Sequence, residues 1–286
     1  MTAQDIQQWF YTQPGPMTAL PDPLSWFHDL PTDPGLLRQV LHGVLIHGDL
    51  VHLYGLGHDD VRMREIHLRP VGELLAALRS RADLPLAVAR QPEDRVWGSC
   101  RHFAVLYCAL LRDQGVPSRV RCGFANYFDP ASWVDHWILE YWNTGTQRWQ
   151  RADAELDPVV TKVFRVALDP EDLPATAFLA GAEAWRGYRR GELDPELFGF
   201  GDSRGAKMIA GSVIRDLAAL NKDEMLPWDY WGVVDDWDLG RSTVDESVID
   251  GLADAVLADA QPELERAYRR DGIAVPADLD LVRPDR

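Results

Sequence analysis

The chain is poor in the features that would place it in a membrane, on nucleic acid or in a disulfide scaffold. It has no run of eighteen apolar residues, so no segment is expected to span a bilayer. Its first residues, MTAQDIQQWF, carry an acid and no base ahead of a short apolar stretch, and do not read as a secretion signal. Positive charge is scarce: 29 Lys and Arg stand against 45 Asp and Glu, for a net charge of −16. Binding nucleic acid needs basic surface to displace counterions, so that partner class is excluded. An acidic surface could attract amines or cationic peptides, but solubility is the simpler reading. Cysteine is also scarce. Three residues, an odd number without close spacing, exclude a disulfide framework and a four-cysteine zinc site. They suit a reducing cytoplasm, where a free thiol can do chemistry. Internal repeats and low-complexity linkers are absent.

What is present is enough for a substantial core: 286 residues, 46% of them apolar. The chain divides into three stretches. Residues 1–94 read as a helical extension. Asp33-Pro34-Gly35 can start a helix running through LLRQVLHGVLIHGDLVHLYG, and a second follows at Val71–Leu78. Residues 95–157 mix helix and strand. Ser99 is a plausible N-cap, and CRHFAVLYCALLRDQ forms an apolar helix that Gly115 and Pro117 stop. Period-2 segments follow in SRVRCGF, DHWILEYW and QRWQRAD, the last two flanking an NTGT turn. Residues 158–286 return to helices, clearest at Ala175–Arg190, Arg204–Asn221 and Asp245–Ala258, with the aromatic, acidic LPWDYWGVVDDWD between the last two.

Cys100 is the first candidate for chemistry. A thiol attacks as thiolate, and the first turn of a helix offers partial positive charge and free amide hydrogens that favour an anion. Cys108, two turns on, fits the ordinary role of a small buried hydrophobe. His136 sits on a predicted strand and Asp153 on the next. A symmetric turn makes paired positions sum to 289, which sets these two opposite each other with Cβ atoms about 5 Å apart. A carboxylate there can hold an imidazole and fix its tautomer. Cysteine, histidine and acid then compose a triad.

GSCRHFAVLYCALLRDQGVPSRVRCGF, DHWILEYW and WQRADAELD together resemble the cysteine, histidine and aspartate motifs of transglutaminase-like proteins, over about residues 95–157. Trp137 departs from the Ala many members place after the histidine. The resemblance implies an α+β, papain-like core, a thioester intermediate, and Cys100, His136 and Asp153 as catalytic residues. It leaves open an acyltransferase or amidase acting on an amide of a peptide or small metabolite, a peptidase or hydrolase, and a non-catalytic binding protein that keeps the fold. The implied partners are an amide- or thioester-containing substrate and an amine acceptor. The mechanism requires no cofactor and no metal.

Further residues are weighed beside the triad. Trp97 could offer its indole N–H to an oxyanion, although packing is the simpler role. Tyr127, Phe128 and Trp133 could wall a cleft or cap the core. Glu140, on the face of His136, could line the cleft or face solvent, and Arg101 is expected in solvent. His102 points about 200° away from Cys100 on a helix and makes a poor base. His42, His47, His52 and His58 lack H-E-x-x-H spacing and read as core or surface residues. Asp235, Asp236 and Asp238 read as a solvated loop. Gly201-Asp202-Ser203-Arg204-Gly205 matches a serine-hydrolase elbow, but all eight histidines precede Ser203, the reverse of that fold's order.

Overall fold

A computed structural model describes residues 2–22 and 24–277. In chain order the elements are α1 Ala3–Thr12, α2 Pro34–His42, β1 Leu45–His47, α3 Asp60–Met63, α4 Val71–Arg81 and β2 Val96–Gly98. Then come α5 Cys100–Asp113, β3 Ser118–Ala125, β4 Trp133–Asn143, β5 Arg148–Ala152, α6 Pro158–Phe164 and β6 Phe178–Ala180. The remainder is α7 Gly181–Arg189, β7 Phe198–Phe200, β8 Ser203–Arg204, α8 Ala206–Leu220, α9 Gly232–Asp238, α10 Glu246–Ala258 and α11 Gln261–Tyr268. Among the described residues no helix is long and apolar enough to cross a membrane.

The helix expected from Asp33 to Gly55 breaks early. Asp33 caps α2 by accepting from the Leu36 N–H at 2.9 Å, but the helix stops at Gly43. A Cβ at Gly43 would meet Ala89 at 2.8 Å, so only glycine lets the two backbones approach. Val44-Leu45-Ile46 then favours extended backbone. β1 pairs in parallel with β2, setting His47 opposite Gly98, two residues before Cys100.

The main sheet runs β6-β3-β4-β7-β8, with β5 also on β4. β3 covers one edge of β4 from Val134 to Tyr141. On the other edge β5 takes residues 139–143 and β7 takes 133–134, leaving 135–138 without a strand. That gap is where the site opens. The β4–β5 register differs from expectation. Trp142 pairs with Trp149 and Leu139 with Ala152, so paired positions sum to 291. The loop is Thr144–Gln147, with Gln147 at φ 54° and the Asn143 side chain accepting from the N–H groups of Gly145 and Thr146. That side-chain-closed turn slides the ladder by two residues while keeping each residue on its face.

Two cores flank the sheet. α5 shares one with Leu37, Leu41, Leu74 and Leu78 from the N-terminal stretch and with Val120, Trp137 and Leu139 from the strands. The other gathers Phe124 and Phe198 with Trp185, Ile214, Leu217 and Leu252 from the C-terminal helices. The C-terminal stretch, read as helical, also supplies three short strands. Ala175–Arg190 becomes β6 followed by α7, and α8 is preceded by the β7–β8 hairpin, which holds the Gly201–Gly205 segment. Asp235 and Asp236 lie on α9, and of Asp238 only the backbone is described.

Candidate active site

Cys100 opens α5 and is 8% exposed. Before it, the Ser99 N–H donates to His102 Nδ1 at 3.0 Å, while His102 Nε2 meets the Leu68 carbonyl at 2.8 Å. His102 is therefore spent on the helix entry, and its burial keeps it well below the usual imidazole range. Arg101, expected in solvent, is instead buried and donates to the carbonyls of Glu224 and Arg69.

His136 stands at the strand-free edge of β4. Its Nε2 is 2.9 Å from Asp153 Oδ2. The two are not cross-strand partners. β5 ends at Ala152, and the chain bends so that Asp153 turns back to the imidazole. The Asp153 carboxylate also accepts the Tyr127 hydroxyl at 2.6 Å and the Glu155 N–H at 2.8 Å. Burial opposes ionisation of Asp153, but His136, Tyr127 and the Glu155 N–H outweigh it and hold its pKa below the ordinary value. Burial likewise opposes charge on His136, yet Asp153 and Cys100 overcome it and keep the imidazole well above its ordinary value. Phe128 packs edge-on against that ring at 4.9 Å and Phe164 against Phe128 at 5.3 Å.

The N-terminal stretch holds the bend in place. Arg38 donates to the Leu156 carbonyl at 2.9 Å and pairs with Glu171. His42 Nε2 lies 3.1 Å from the Ala154 carbonyl, and the Tyr54 hydroxyl donates to Asp157 at 2.6 Å.

Two further residues join the centre: His47, read from the sequence as a core or surface residue, and Glu155, which was not weighed there. Ligand atoms of Cys100, His136 and Glu155 all lie within 4.8 Å of one another. Sulfur, imidazole nitrogen and carboxylate oxygen are the donors zinc accepts, so these three could hold such an ion. Glu155 is buried, its Oε2 has no partner, and desolvation pushes its pKa up. His47 contacts Cys100 from β1. Burial would lower its pKa, but Glu155 and Cys100 outweigh that and lift it to about 9. Its Nδ1 lies 3.2 Å from the Asp49 backbone nitrogen, which leaves Nε2 as the ring's other polar atom. Both residues left a trace in the sequence. Glu155 keeps the alternation of Asp153, and His47 ends the apolar run Val44-Leu45-Ile46 after a glycine.

None of the four substrate or oxyanion candidates is among the residues lining the cavity beside Cys100. Trp97 packs with Ile46 and Val51 under Arg62. Tyr127 stands behind Asp153. Trp133 stacks on Phe198 at 5.5 Å, on the far core. Glu140 is 3% exposed and bound to Arg119, Arg121 and Arg151. A strand inside a two-layer core has no solvent face for a glutamate, so three arginines follow it in. Instead, Cys100, His136, Glu155, Phe128, Phe200 and Trp228 are among the residues lining a cavity of about 520 Å³, within the usual size for small-molecule sites.

A buried cysteine at the start of an apolar helix, packed on a mainly antiparallel sheet that brings a histidine and an acid to it, defines a papain-like α+β fold. Residues 78–154 match the family model of the transglutaminase-like superfamily, and this segment is similar to that superfamily's core. At the level of the superfamily, the match supports a cysteine-dependent enzyme. No curated protein matches the chain. A solved structure named "Putative Cysteine Protease", from Cytophaga hutchinsonii, is 15% identical, with 60% of this chain covering 45% of that one. Its TM-score of 0.25 is too low to carry an argument.

Proposed function

We propose that the protein transfers an acyl group through a thioester on Cys100, with His136 as base and Asp153 as the residue that orients it. The donor would be an amide of a peptide or small metabolite, or a thioester. The carrying observation is the alignment of Cys100, His136 within 4.8 Å of it, and Asp153 at 2.9 Å behind the imidazole. In this reading His136 takes the thiol proton and sulfur bonds to the carbonyl carbon. The Cys100 N–H, free at the first turn of α5, donates to the oxyanion, and His47 Nε2–H is the candidate second donor. The bond from carbonyl carbon to nitrogen, or to sulfur in a thioester, breaks as His136 returns the proton to the leaving group. Water or an amine then attacks the thioester, again passing its proton to His136, and frees the thiol. Water gives hydrolysis and an amine gives transfer.

Three free cysteines, all buried, suit a reducing compartment. The test is mass spectrometry of the protein after incubation with a panel of small amide and thioester donors, with and without methylamine. An acyl adduct on Cys100 that is missing from Cys100→Ala supports the reading. Lack of any adduct or turnover, together with a Cys100 no more reactive than Cys108, would leave a binding protein of this fold.

A further inference from the structure

Arg215 is the one buried arginine among the described residues that holds no protein oxygen. Arg38, Arg90, Arg101, Arg112, Arg119 and Arg121 each donate to a carboxylate or carbonyl. Arg215, on α8 and 5% exposed, has a fully buried Nε without a partner and no carboxylate within 4.0 Å. Asp135 acts on it only through space. A buried guanidinium left so is costly unless something else satisfies it.

The surroundings are built to leave it open. Gly211 stands one turn earlier on α8, and a Cβ there would come within 3.0 Å of Arg215 Nη1. The Tyr230 ring covers the guanidinium at 5.5 Å. Both residues border a cavity of about 170 Å³ whose walls also include Arg204, Lys207, Ser203 and Asp202. Lys207 donates to the Trp237 carbonyl at 2.8 Å and Arg204 to that of Gly201 at 3.0 Å, which fixes both stems at the wall. Arg204 also lines the larger cavity beside Cys100.

We propose that this smaller cavity is an oxyanion subsite, taking a carboxylate or phosphate group on Arg215, with Arg204 at the boundary with the Cys100 cavity. Planar guanidinium groups bind such anions through paired, charge-assisted hydrogen bonds. Its use, holding the anionic end of the acyl-transfer substrate, rests on the function proposed above; its binding chemistry does not.

Isothermal titration of the full chain at low ionic strength, with inorganic phosphate and separately with acetate against matched chloride, tests the site. Saturable binding of either anion is expected, the tighter one identifying the substrate's group. Arg215→Met should weaken it tenfold or more and Arg204→Gln threefold or more. Gly211→Ala, which crowds Nη1 without removing charge, serves if Arg215→Met does not fold and should also weaken binding. Blocking Cys100 with iodoacetamide should leave the affinity unchanged. Absence of saturable binding, wild-type affinity in the folded Arg215→Met or in Gly211→Ala, or loss of binding on alkylation would overturn the subsite. Anion binding without acyl transfer would sink only the proposed reaction, and acyl transfer without anion binding only the subsite.

Discussion

β4 carries two buried charge centres four residues apart, and they are built on opposite plans. At Glu140 every oxygen is engaged. Oε1 accepts from Arg151 at 3.0 Å, and Oε2 accepts from Arg119 at 2.8 Å and Arg121 at 2.9 Å. Those arginines are held in turn by Asp216, Asp259 and Glu183. At His136 the polar set stays open. Glu155 Oε2 has no partner, and Cys100 borders a cavity. A closed network fixes the sheet and leaves nothing over for a ligand, whereas an open one keeps groups poised for chemistry at a cost in stability.

The largest effect expected from breaking this contrast is on turnover. Cys100→Ala should lower kcat/KM by on the order of 10⁴-fold or more while leaving the urea midpoint nearly unchanged. Asp153→Asn should cost roughly 10²–10⁴-fold, because the amide cannot stabilise the imidazolium or enforce its tautomer. At the closed centre the loss should fall on folding. Glu140→Gln strips a carboxylate from three buried arginines and should destabilise by about 3–5 kcal/mol in urea unfolding. Glu155→Gln should leave stability near neutral pH within about 1 kcal/mol of wild type or raise it, because an oxygen without a partner has no hydrogen bond to lose. Tyr127→Phe should be milder than Asp153→Asn, about 1–2 kcal/mol of stability from its single bond to Asp153.

Acid separates the two glutamates by sign. Glu140 has its pKa depressed, since three arginines outweigh the desolvation that would raise it. Its contribution is full above the unfolded value of about 4.3 and is lost as pH falls below that. Glu155 has its pKa raised by desolvation. It therefore weakens the fold as pH climbs from about 4.3 through its elevated value. Glu140→Gln should flatten the acid limb of the stability profile, and Glu155→Gln the limb toward neutrality. Identical profiles for the two variants would erase the distinction.

Much of the open centre was legible in the sequence. Ser99 and Gly115 bracket the helix of Cys100, Gly115 taking φ 77° as its position past the helix end requires. The histidine and aspartate motifs point to the residues that meet. The route to their meeting was not legible. A two-residue register shift, hidden in the Asn143 turn, replaces direct cross-strand pairing with a bend after Ala152. His47 was lost in an apparent helix that Gly43 breaks for a tertiary reason, its contact with Ala89. Arg101 was assigned to solvent because charge suggests surface, and Glu140 was left between cleft and solvent; only the packed neighbours show that both are buried and why burial is tolerated.

The central claim is that one thiol of three is activated, by an imidazole held on a carboxylate. Its most direct measurement is the rate of iodoacetamide alkylation at each cysteine from pH 5 to 10. Cys108, which burial pushes up to about 11, and Cys122, pushed up by the same cause, should stay slow throughout. The account predicts rapid labelling of Cys100 well below pH 8 in the wild type. In His136→Ala the labelling of Cys100 should slow toward that of the other two cysteines. Equal, sluggish labelling of all three, or a Cys100 profile indifferent to His136, would contradict it.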